Sequence, residues 1–254
     1  MLLKDKTAVI YGAGGHIGRT VAQAFARDGA YVFLAGRTLS TLEAVAGEIA
    51  AAGGAAEVAQ VDALDPQAIE QHLDALVNKA GRIDISFNAI WIRGDLQGTP
   101  LIQMPCEDFT LPILTGVTTH FLTATGAARH MVRQRSGVIL TLSSSAAALS
   151  GRDRRYHLTG GFATACVAIE ALSRSLAGEL GPQGIRVVCL RPDAIPETWP
   201  AEAAEVRTYM ENGTVLGRLP TLDEVANAAV LMASDRASAM TGTIANLTCG
   251  SVMD

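Results

Sequence analysis

Short apolar runs alternate along the chain with longer segments in which apolar residues recur every three or four positions. The short runs are bounded by Gly, Asp or Asn and predict buried parallel strands, whereas the longer segments predict amphipathic helices. Strands are predicted for residues 7–11, 31–35, 56–61, 83–88, 138–143, 185–190 and 243–247, and helices for residues 18–27, 39–51, 66–80, 109–135, 162–181 and 222–234.

Repetition of strand and helix in this order is typical of an α/β domain whose parallel sheet is covered on both faces. We therefore expect a doubly wound, Rossmann-like sheet of about seven strands. No repeat or low-complexity linker divides the 254 residues, so residues 1–254 are expected to form a single domain. Residues 192–219 contain Pro192, Pro196 and Pro200 but no strand pattern, which favours a long loop or small lid over a substrate.

Composition excludes several functional classes. The net charge of −5 is spread without blocks of like charge, so neither nucleic acid nor a membrane surface is an expected partner. The N-terminus lacks the apolar core of a signal peptide, and we expect a cytoplasmic protein that acts on a small molecule. Four cysteines fit no metal motif and are expected to be reduced and mostly buried: Cys106, Cys166, Cys189 and Cys249.

A glycine-rich turn connects the first predicted strand to the first helix. Glycine permits a tight turn and a close approach of phosphate oxygens to main-chain N–H groups, and the N-terminus of the following helix favours negative charge. The position of the turn therefore indicates a dinucleotide site, although a tight packing turn without ligand is the alternative. The residues expected to hold the phosphates are Gly12, Gly14, Gly15, His16, Ile17 and Gly18.

The ends of the next strands suggest which dinucleotide is bound. In dinucleotide-binding folds the end of the second strand faces the adenosine ribose, and an acidic residue there favours NAD. Here Gly36 supplies no carboxylate, whereas the guanidinium of Arg37 suits a 2′-phosphate. We therefore expect NADP(H) in preference to NAD(H), the alternative being that Arg37 is a solvated surface charge. Asp62 and Ala63 end the third strand, where the adenine is expected.

Further segments carry a recognisable pattern. Asn88-Ala89 follows the fourth strand, Ser144 follows the fifth, and residues 170–187, 223–226 and 240–242 have characteristic sequences. Together with the glycine turn, in which Tyr11 and His16 replace the usual Thr and Gly, they make the chain resemble the short-chain dehydrogenase/reductase family over nearly its whole length. The resemblance implies an active-site Ser at Ser144 and cofactor contacts at Asp62, Asn88, Ala89, Pro192 and Ile195.

The family's other catalytic residues have no counterparts at the matching positions. Its Tyr, which protonates the substrate oxygen, falls on Phe162, and its Lys, four residues later, falls on Cys166. The helix Asn falls on Gly116, and the Pro-Gly after the sixth strand has become Pro192-Asp193. The chain's lysines are Lys4, Lys6 and Lys79, none of which is near the start of this helix. We therefore expect an atypical member of the family.

Two residues between Ser144 and the altered helix are candidate substitutes. Tyr156 lies at nearly the family's Ser-to-Tyr interval, and Arg154 or Arg155 is expected to lower its pKa. His157 titrates near neutral pH and is a second candidate acid. The alternative is that residues 152–157 form a solvated loop. Cys166 is either an activated thiolate or, as we favour, a small apolar filler.

Three functions are compatible with these residues. The first is an atypical NADP(H)-dependent oxidoreductase for a small carbonyl or enone-like substrate, with Ser144, Tyr156, His157 or water supplying the proton. The second is a catalytically inactive nucleotide-binding homologue that acts as a sensor or partner subunit. The third is a non-redox lyase or isomerase on the same fold. The resemblance further implies a homodimer or homotetramer built on the helices at 109–135 and 162–181.

Overall fold

A computed structural model describes residues 1–153, 155–199 and 203–253. Its centre is one sheet of seven parallel strands in the order β3-β2-β1-β4-β5-β6-β7. This confirms the predicted doubly wound α/β fold. The strands are β1 Thr7–Tyr11, β2 Tyr31–Gly36, β3 Ala55–Gln60, β4 Ile85–Asn88, β5 Gly137–Leu142, β6 Ile185–Pro192 and β7 Thr243–Leu247.

Helices cover both faces of the sheet. The α-helices in the described part of the chain are α1 His16–Arg27, α2 Leu39–Ala51, α3 Pro66–Ala80, α4 Cys106–Gln134, α5 Ala146–Leu149, α6 Gly160–Leu180, α7 Ala204–Asn212 and α8 Leu222–Ala233. Buried side chains of α1, α2 and α8 form one core layer with the sheet, and those of α3, α4 and α6 form the other. Among the described residues, no helix has the length and apolar content that crossing a membrane requires.

Local sequence signals explain where several helices begin and end. Asp65 caps α3 by accepting hydrogen bonds from the N–H groups of Gln67 and Ala68, and Gly81 ends the helix in the left-handed conformation. Helix α8 begins with a capping box in which Thr221 and Glu224 each bind the other's backbone N–H. These contacts satisfy N–H groups that have no partner within the helix.

The structure corrects several sequence-based boundaries. Helices α1, α4 and α6 begin two or three residues earlier than predicted. The segment 192–219 also contains α7, which has no fully buried residue among its nine and so gives only a weak apolar period. Pro200 lies outside the described residues. The cysteines are free, but the expectation of burial is wrong for Cys106, which is exposed.

The sheet order places a crevice at the carboxyl ends of β1 and β4. From β1 the chain continues to β2 on one side, whereas β4 lies on the other side of β1 and its following helix, α4, covers the opposite face from α1. Ligands of open parallel sheets bind at such a reversal of strand order. The residues that follow β1, β4 and β5 therefore converge on one site.

A buried histidine supports the end of β5. Pairing of β4 with β5 ends at Phe87 and Leu140, which leaves the N–H of Leu142 without a strand partner on that side. His120 of α4 accepts this N–H at Nε2, 3.3 Å away, and its Nδ1 lies 2.8 Å from the carbonyl oxygen of Gly116. This arrangement requires neutral imidazole, and burial lowers the pKa of His120 to about 4.

His120 is expected to make the protein less stable in mild acid. The unfolded chain takes up a proton near pH 6.5, but the folded chain resists protonation of His120 until about pH 4. Its contribution is therefore complete above pH 6.5 and declines by about 1.4 kcal/mol per pH unit as the pH falls below that value. Denaturant unfolding of the His120→Gln variant between pH 7.5 and 5 should show a shallower loss of stability, whereas His16→Gln, an exposed site, should keep the original slope. Equal slopes for the wild type and His120→Gln would contradict this account.

Candidate active site

The glycine turn is shaped by close backbone contacts. Gly12 has a φ of +76°, and a Cβ at this position would lie 2.8 Å from the backbone carbonyl of Ala89. A Cβ on Gly18 would collide with the carbonyl oxygen of Gly12, so helix α1 can approach the turn only through glycine. Gly14 lies against Thr41 of α2, whereas Gly15 faces open space apart from the oxygen of Gly12. The turn thus leaves its outer side at Gly15 accessible to a ligand.

The first turn of α1 offers hydrogen-bond donors to an anion. Gly15 is the N-cap residue and no side chain caps the helix there. The N–H groups of His16, Ile17 and Gly18 therefore have no acceptor within the helix, and the positive end of the helix dipole lies beside them. His16 is exposed and lines the adjoining cavity with Gly15 and Ile17. These groups fit a pyrophosphate.

Arg37 and Asp62 lie at the ends of β2 and β3, as the sequence predicted. Arg37 is exposed and, among the described residues, its guanidinium makes no ion pair, whereas nearby Arg19 is paired with Glu48. One carboxylate oxygen of Asp62 accepts the N–H of Leu64 at 3.0 Å, which fixes the loop that follows β3. The side chains of Arg37 and Asp62 therefore remain accessible at the same edge of the sheet.

Asn88 contributes to the site through the backbone it holds. Its side chain is buried, donating to the hydroxyl of Thr123 at 3.0 Å and accepting the N–H of Ile90 at 2.9 Å. Both bonds hold the loop after β4 in place, so the Asn88 amide is not free to contact a ligand. Ala89 and Ile90, which follow it, line the cavity instead.

A cavity of about 840 Å³ connects the glycine turn to the carboxyl ends of β5 and β6. Gly15, His16 and Ile17 line one end, and Ser144 lines the other. Its apolar walls come from the loop after β4, the start of α6, the segment after β6 and helix α7: Trp91, Ile92, Phe162, Trp199, Val206 and Met210. Pro192 and Ile195, which were expected to contact the cofactor, also line it.

Three consecutive serines follow β5, and their partners distinguish them. The hydroxyl of Ser143 donates to Glu170 at 2.9 Å and that of Ser145 donates to Asp193 at 2.7 Å, and both serines are buried. Ser144 is half-buried and lines the cavity, and within the described residues the one hydrogen bond of its hydroxyl is accepted from the N–H of Ala146, at 3.3 Å. Its hydroxyl proton is therefore available to a ligand.

The floor under these serines contains a buried ion pair. Arg191 of β6 binds Glu170 of α6 through two hydrogen bonds of 2.8 Å, and Ser143 donates to the same carboxylate. Both charged residues are less than a tenth exposed. The sequence pattern did not reveal this pair, although Arg191 lies at the buried end of a largely apolar strand and Glu170 lies among the buried residues of α6.

Phe162 and Cys166 are the residues on which the family's Tyr and Lys were expected to fall. Phe162 lines the cavity, and Cys166 is fully buried beneath it in a small cluster with Ile92, Ile169 and Cys189. Burial, followed by the nearby Cys189, raises the pKa of the Cys166 thiol to about 12. The thiol is therefore neutral, which supports its interpretation as an apolar filler.

Tyr156 does not meet the expectation of a lowered pKa. Its hydroxyl donates to Glu205 of α7 at 3.1 Å, and this bond is the main reason that the pKa of Tyr156 is raised. Arg155 has the opposite effect but a smaller one, and Arg154 lies outside the described residues. The Tyr156 ring also contacts that of Tyr209, with centroids 4.4 Å apart, and Tyr209 hydrogen-bonds to Asp153. Two tyrosines thus join α7 to the loop at 151–157.

His157 faces the cavity from the same loop and is only 8% exposed. Its Nδ1 is enclosed and has no hydrogen-bond partner among the described residues. Burial, followed by the charge of Arg152, lowers the pKa of His157, so the imidazole is neutral at pH 7. It also lines a second cavity of about 190 Å³ between this loop and the end of α7. A neutral imidazole can accept a proton or relay one but is not a ready acid.

The contacts of Tyr156 predict that it holds α7 over the cavity. Tyr156→Phe removes the bond to Glu205 and should speed protease cleavage within residues 203–213 about three- to tenfold. Its kcat should change far less than the 10²- to 10⁴-fold typical of a lost proton donor. Tyr31→Phe, which alters a tyrosine on β2, should change neither. An unchanged cleavage rate in Tyr156→Phe would refute the role in the lid, and a collapse of kcat would restore Tyr156 as the acid.

Comparison with known proteins finds relatives that are oxidoreductases. A family model described as enoyl-(acyl carrier protein) reductase matches residues 12–251. L-rhamnose 1-dehydrogenase (NAD(P)(+)) from Azotobacter vinelandii is 34% identical over 95% of this chain and 94% of its own length. Its name and the family description both denote oxidoreductases.

Solved structures show the same similarity. A short-chain dehydrogenase/reductase from Mycobacterium marinum superposes with a TM-score of 0.87 at 32% identity, over 99% of this chain and 97% of that one. A 7α-hydroxysteroid dehydrogenase in complex with NADH and 7-oxo glycochenodeoxycholic acid gives a TM-score of 0.85 at 30% identity, over 99% and 96% of the two chains. With a family model that matches residues 12–251 and relatives at least 30% identical over nearly the whole chain, the chain belongs to the short-chain dehydrogenase/reductase family of oxidoreductases.

Proposed function

We propose that the protein is an NADP(H)-dependent oxidoreductase acting on a small carbonyl or enone-like substrate with an apolar body. One observation carries this proposal: a single cavity runs from the exposed side of the glycine turn to the available hydroxyl of Ser144. Aromatic and aliphatic side chains line its outer part, where a substrate would lie. A nucleotide and a small apolar molecule can therefore be held end to end.

Residues of the chain fit each part of the cofactor. The first-turn N–H groups of α1 would hold the pyrophosphate, Asp62 and Ala63 the adenine, and Pro192 and Ile195 the nicotinamide end. Arg37 would pair with the 2′-phosphate, and the absence of an acidic residue at Gly36 favours NADP(H) over NAD(H). When bound, NADPH supplies the hydride for the reaction.

Ser144 would orient and polarise the substrate oxygen. Its hydroxyl can donate to a carbonyl oxygen as negative charge develops there, which is the role of an oxyanion-hole donor. In an enone, the hydride adds to the β-carbon, the charge moves to this oxygen, and a proton is then taken up at the α-carbon. This sequence needs a hydrogen-bond donor at the oxygen but no strong acid there, which suits a site with Phe162 in place of Tyr.

His157 and water would complete the proton transfer. The neutral imidazole lies between the main cavity and the smaller one, and its enclosed Nδ1 has no other partner among the described residues. A water in the smaller cavity, of about 190 Å³, has room to reach it. We assign His157 as a proton relay and leave Tyr156 the role of holding α7.

A homodimer or homotetramer built on α4 and α6 stays a prediction. Both helices carry large apolar residues that are exposed in the single chain, namely Leu114 and Phe121 on α4 and Val167 on α6. Apolar residues on neighbouring helix faces favour association with a second copy. We also expect the protein to act in the cytoplasm.

A catalytically inactive, nucleotide-binding homologue is the main alternative. It is favoured by the uncharged, aprotic side chain of Phe162 and the neutral thiol of Cys166 at two catalytic positions. The discriminating result is turnover: NADPH consumption with cyclic enones, α,β-unsaturated aldehydes or small ketones supports the enzyme. Tight NADPH binding without turnover across that panel would support the inactive homologue, and conversion without NADPH consumption would indicate a non-redox lyase or isomerase.

Arg37 is expected to determine the preference for NADP(H). Arg37→Ala should weaken NADPH binding about 10- to 100-fold, because a charge-assisted contact to the 2′-phosphate is lost. NADH affinity should change less than about threefold, since NADH has no such phosphate. Calorimetry on cofactor-stripped protein measures both, with Arg19→Ala as a control that removes an equal charge already paired with Glu48. Equal losses for NADH and NADPH would contradict the assignment, and no binding of either nucleotide to the wild type would overturn the proposed function.

Ser144 is expected to act on the rate more than on binding. Ser144→Ala should lower kcat by about 10²- to 10³-fold with an enone substrate, as removal of an oxyanion donor does in other enzymes. The Kd for NADPH should stay within about twofold. Ser175→Ala, on the exposed side of α6, should leave kcat unchanged. Full activity in Ser144→Ala would exclude Ser144 from the reaction.

A further inference from the structure

Asp193 is a buried carboxylate at the wall of the main cavity. It follows β6 and is only 4% exposed, yet it lines both cavities. One carboxylate oxygen accepts the hydroxyl of Ser145 and the N–H of Ala194, each at 2.7 Å, and the other accepts the hydroxyl of Ser251. Every one of these donors is uncharged, so they stabilise the negative charge of Asp193 without neutralising it.

Asp193 has no cationic partner among the described residues. The neighbouring Arg191 binds Glu170 instead, and Arg152 is an exposed residue whose guanidinium donates to the carbonyl of Ser251. Burial of a charge without an opposite charge is costly, and proteins retain it chiefly where a ligand or a function compensates. Asp193 borders open space at both cavities, and the main one, of about 840 Å³, has room for a ligand that brings a compensating positive charge.

Two exposed arginines border these cavities, Arg155 at the main one and Arg152 at the smaller one. Cys166, at the position of the family's Lys, carries a neutral thiol, and His157 is a neutral imidazole at pH 7. The buried carboxylate of Asp193 adds a negative potential at the Pro192–Ile195 side, and solvent and salt screen it less than they screen the exposed arginines. A ligand group at the Pro192–Ile195 side therefore binds more tightly if it carries a positive charge.

We propose that Asp193 makes the site bind oxidised nicotinamide more tightly than reduced nicotinamide. This inference rests on the proposed NADP(H) function. NADP⁺ and NADPH share the adenine, ribose and phosphate contacts, but only the oxidised ring carries a positive charge. The attraction of Asp193 therefore changes the ratio of the dissociation constants for NADP⁺ and NADPH. The contacts that the two cofactors share do not change this ratio.

Calorimetry or fluorescence titration of cofactor-stripped protein tests this directly. The wild type should bind NADP⁺ more tightly than NADPH. Asp193→Asn should lower the ratio of the Kd for NADPH to the Kd for NADP⁺ about tenfold. That factor corresponds to about 30 mV in the potential of the bound two-electron couple. Glu197→Gln is the matched control: Glu197 lies four residues away on the same segment but is absent from the cavity lining and accepts the N–H of Leu222.

The outcomes separate this inference from the proposed function. A ratio that is unchanged in Asp193→Asn, or changed equally in Glu197→Gln, overturns the role of Asp193 while the cofactor assignment stands. Absence of binding of both nucleotides to the wild type overturns the proposed function and this inference with it. Asp193→Ser provides a second neutral variant if Asn perturbs folding, and wild-type protein that binds NADPH at least as tightly as NADP⁺ refutes the inference without any variant.

Discussion

The reversal of strand order beside β1 is the constraint on which the site depends. Connections between parallel strands cross the sheet with one hand, so a chain that builds outwards in two directions from β1 must place its helices on opposite faces. Helices α1 and α2 pack on one side and α3 and α4 on the other, and the main cavity opens beside the carboxyl ends of β1 and β4. The glycine turn, the loop after β4 and Ser144 meet in that opening.

Hydrogen-bond satisfaction then decides which polar groups remain for chemistry. Where the strands end, buried backbone and side-chain polar groups lose their strand partners and cannot reach water. The fold supplies another hydrogen-bond partner for most of them. His120 takes the N–H of Leu142, Glu170 takes Ser143, and Asp193 takes Ser145. Ser144 is the hydroxyl in this row that faces the cavity with its proton uncommitted. Selectivity for one serine among three therefore comes from their buried neighbours.

Much of this architecture follows from local sequence signals. Alternating periods predicted the seven strands and the main helices, and the glycine turn indicated one part of the cavity wall, because these features depend on residues close together in the chain. Helix α7 and the tyrosine contacts at Tyr156 and Tyr209 were missed. Their stability comes from partners roughly 50 positions away, such as Glu205 for Tyr156, which no local pattern encodes.

The dependence on residues distant in the chain also explains why the pKa of Tyr156 was predicted in the wrong direction and why the sequence did not reveal the burial of Asp193. The sequence placed Arg155 beside Tyr156 and so suggested a lowered pKa, but the fold brings a carboxylate to the hydroxyl and reverses the sign. Asp193 appeared in the sequence only as a departure from a familiar Pro-Gly pair. Its burial, and the uncharged character of its donors, arise from serines at positions 145 and 251 that the chain brings together only on folding.

The ion pair between Glu170 and Arg191 bears on how this lineage can evolve. Cys166 lies one helical turn before Glu170. A lysine introduced at 166 would therefore place its ammonium within reach of the Glu170 carboxylate, which Arg191 already binds. Two cations would then compete for one buried anion. This costs stability that neither a lysine at 166 nor an arginine at 191 would cost alone. The effect of a lysine at residue 166 is therefore expected to depend on the residue at 191, which is epistasis between two positions that one buried carboxylate connects.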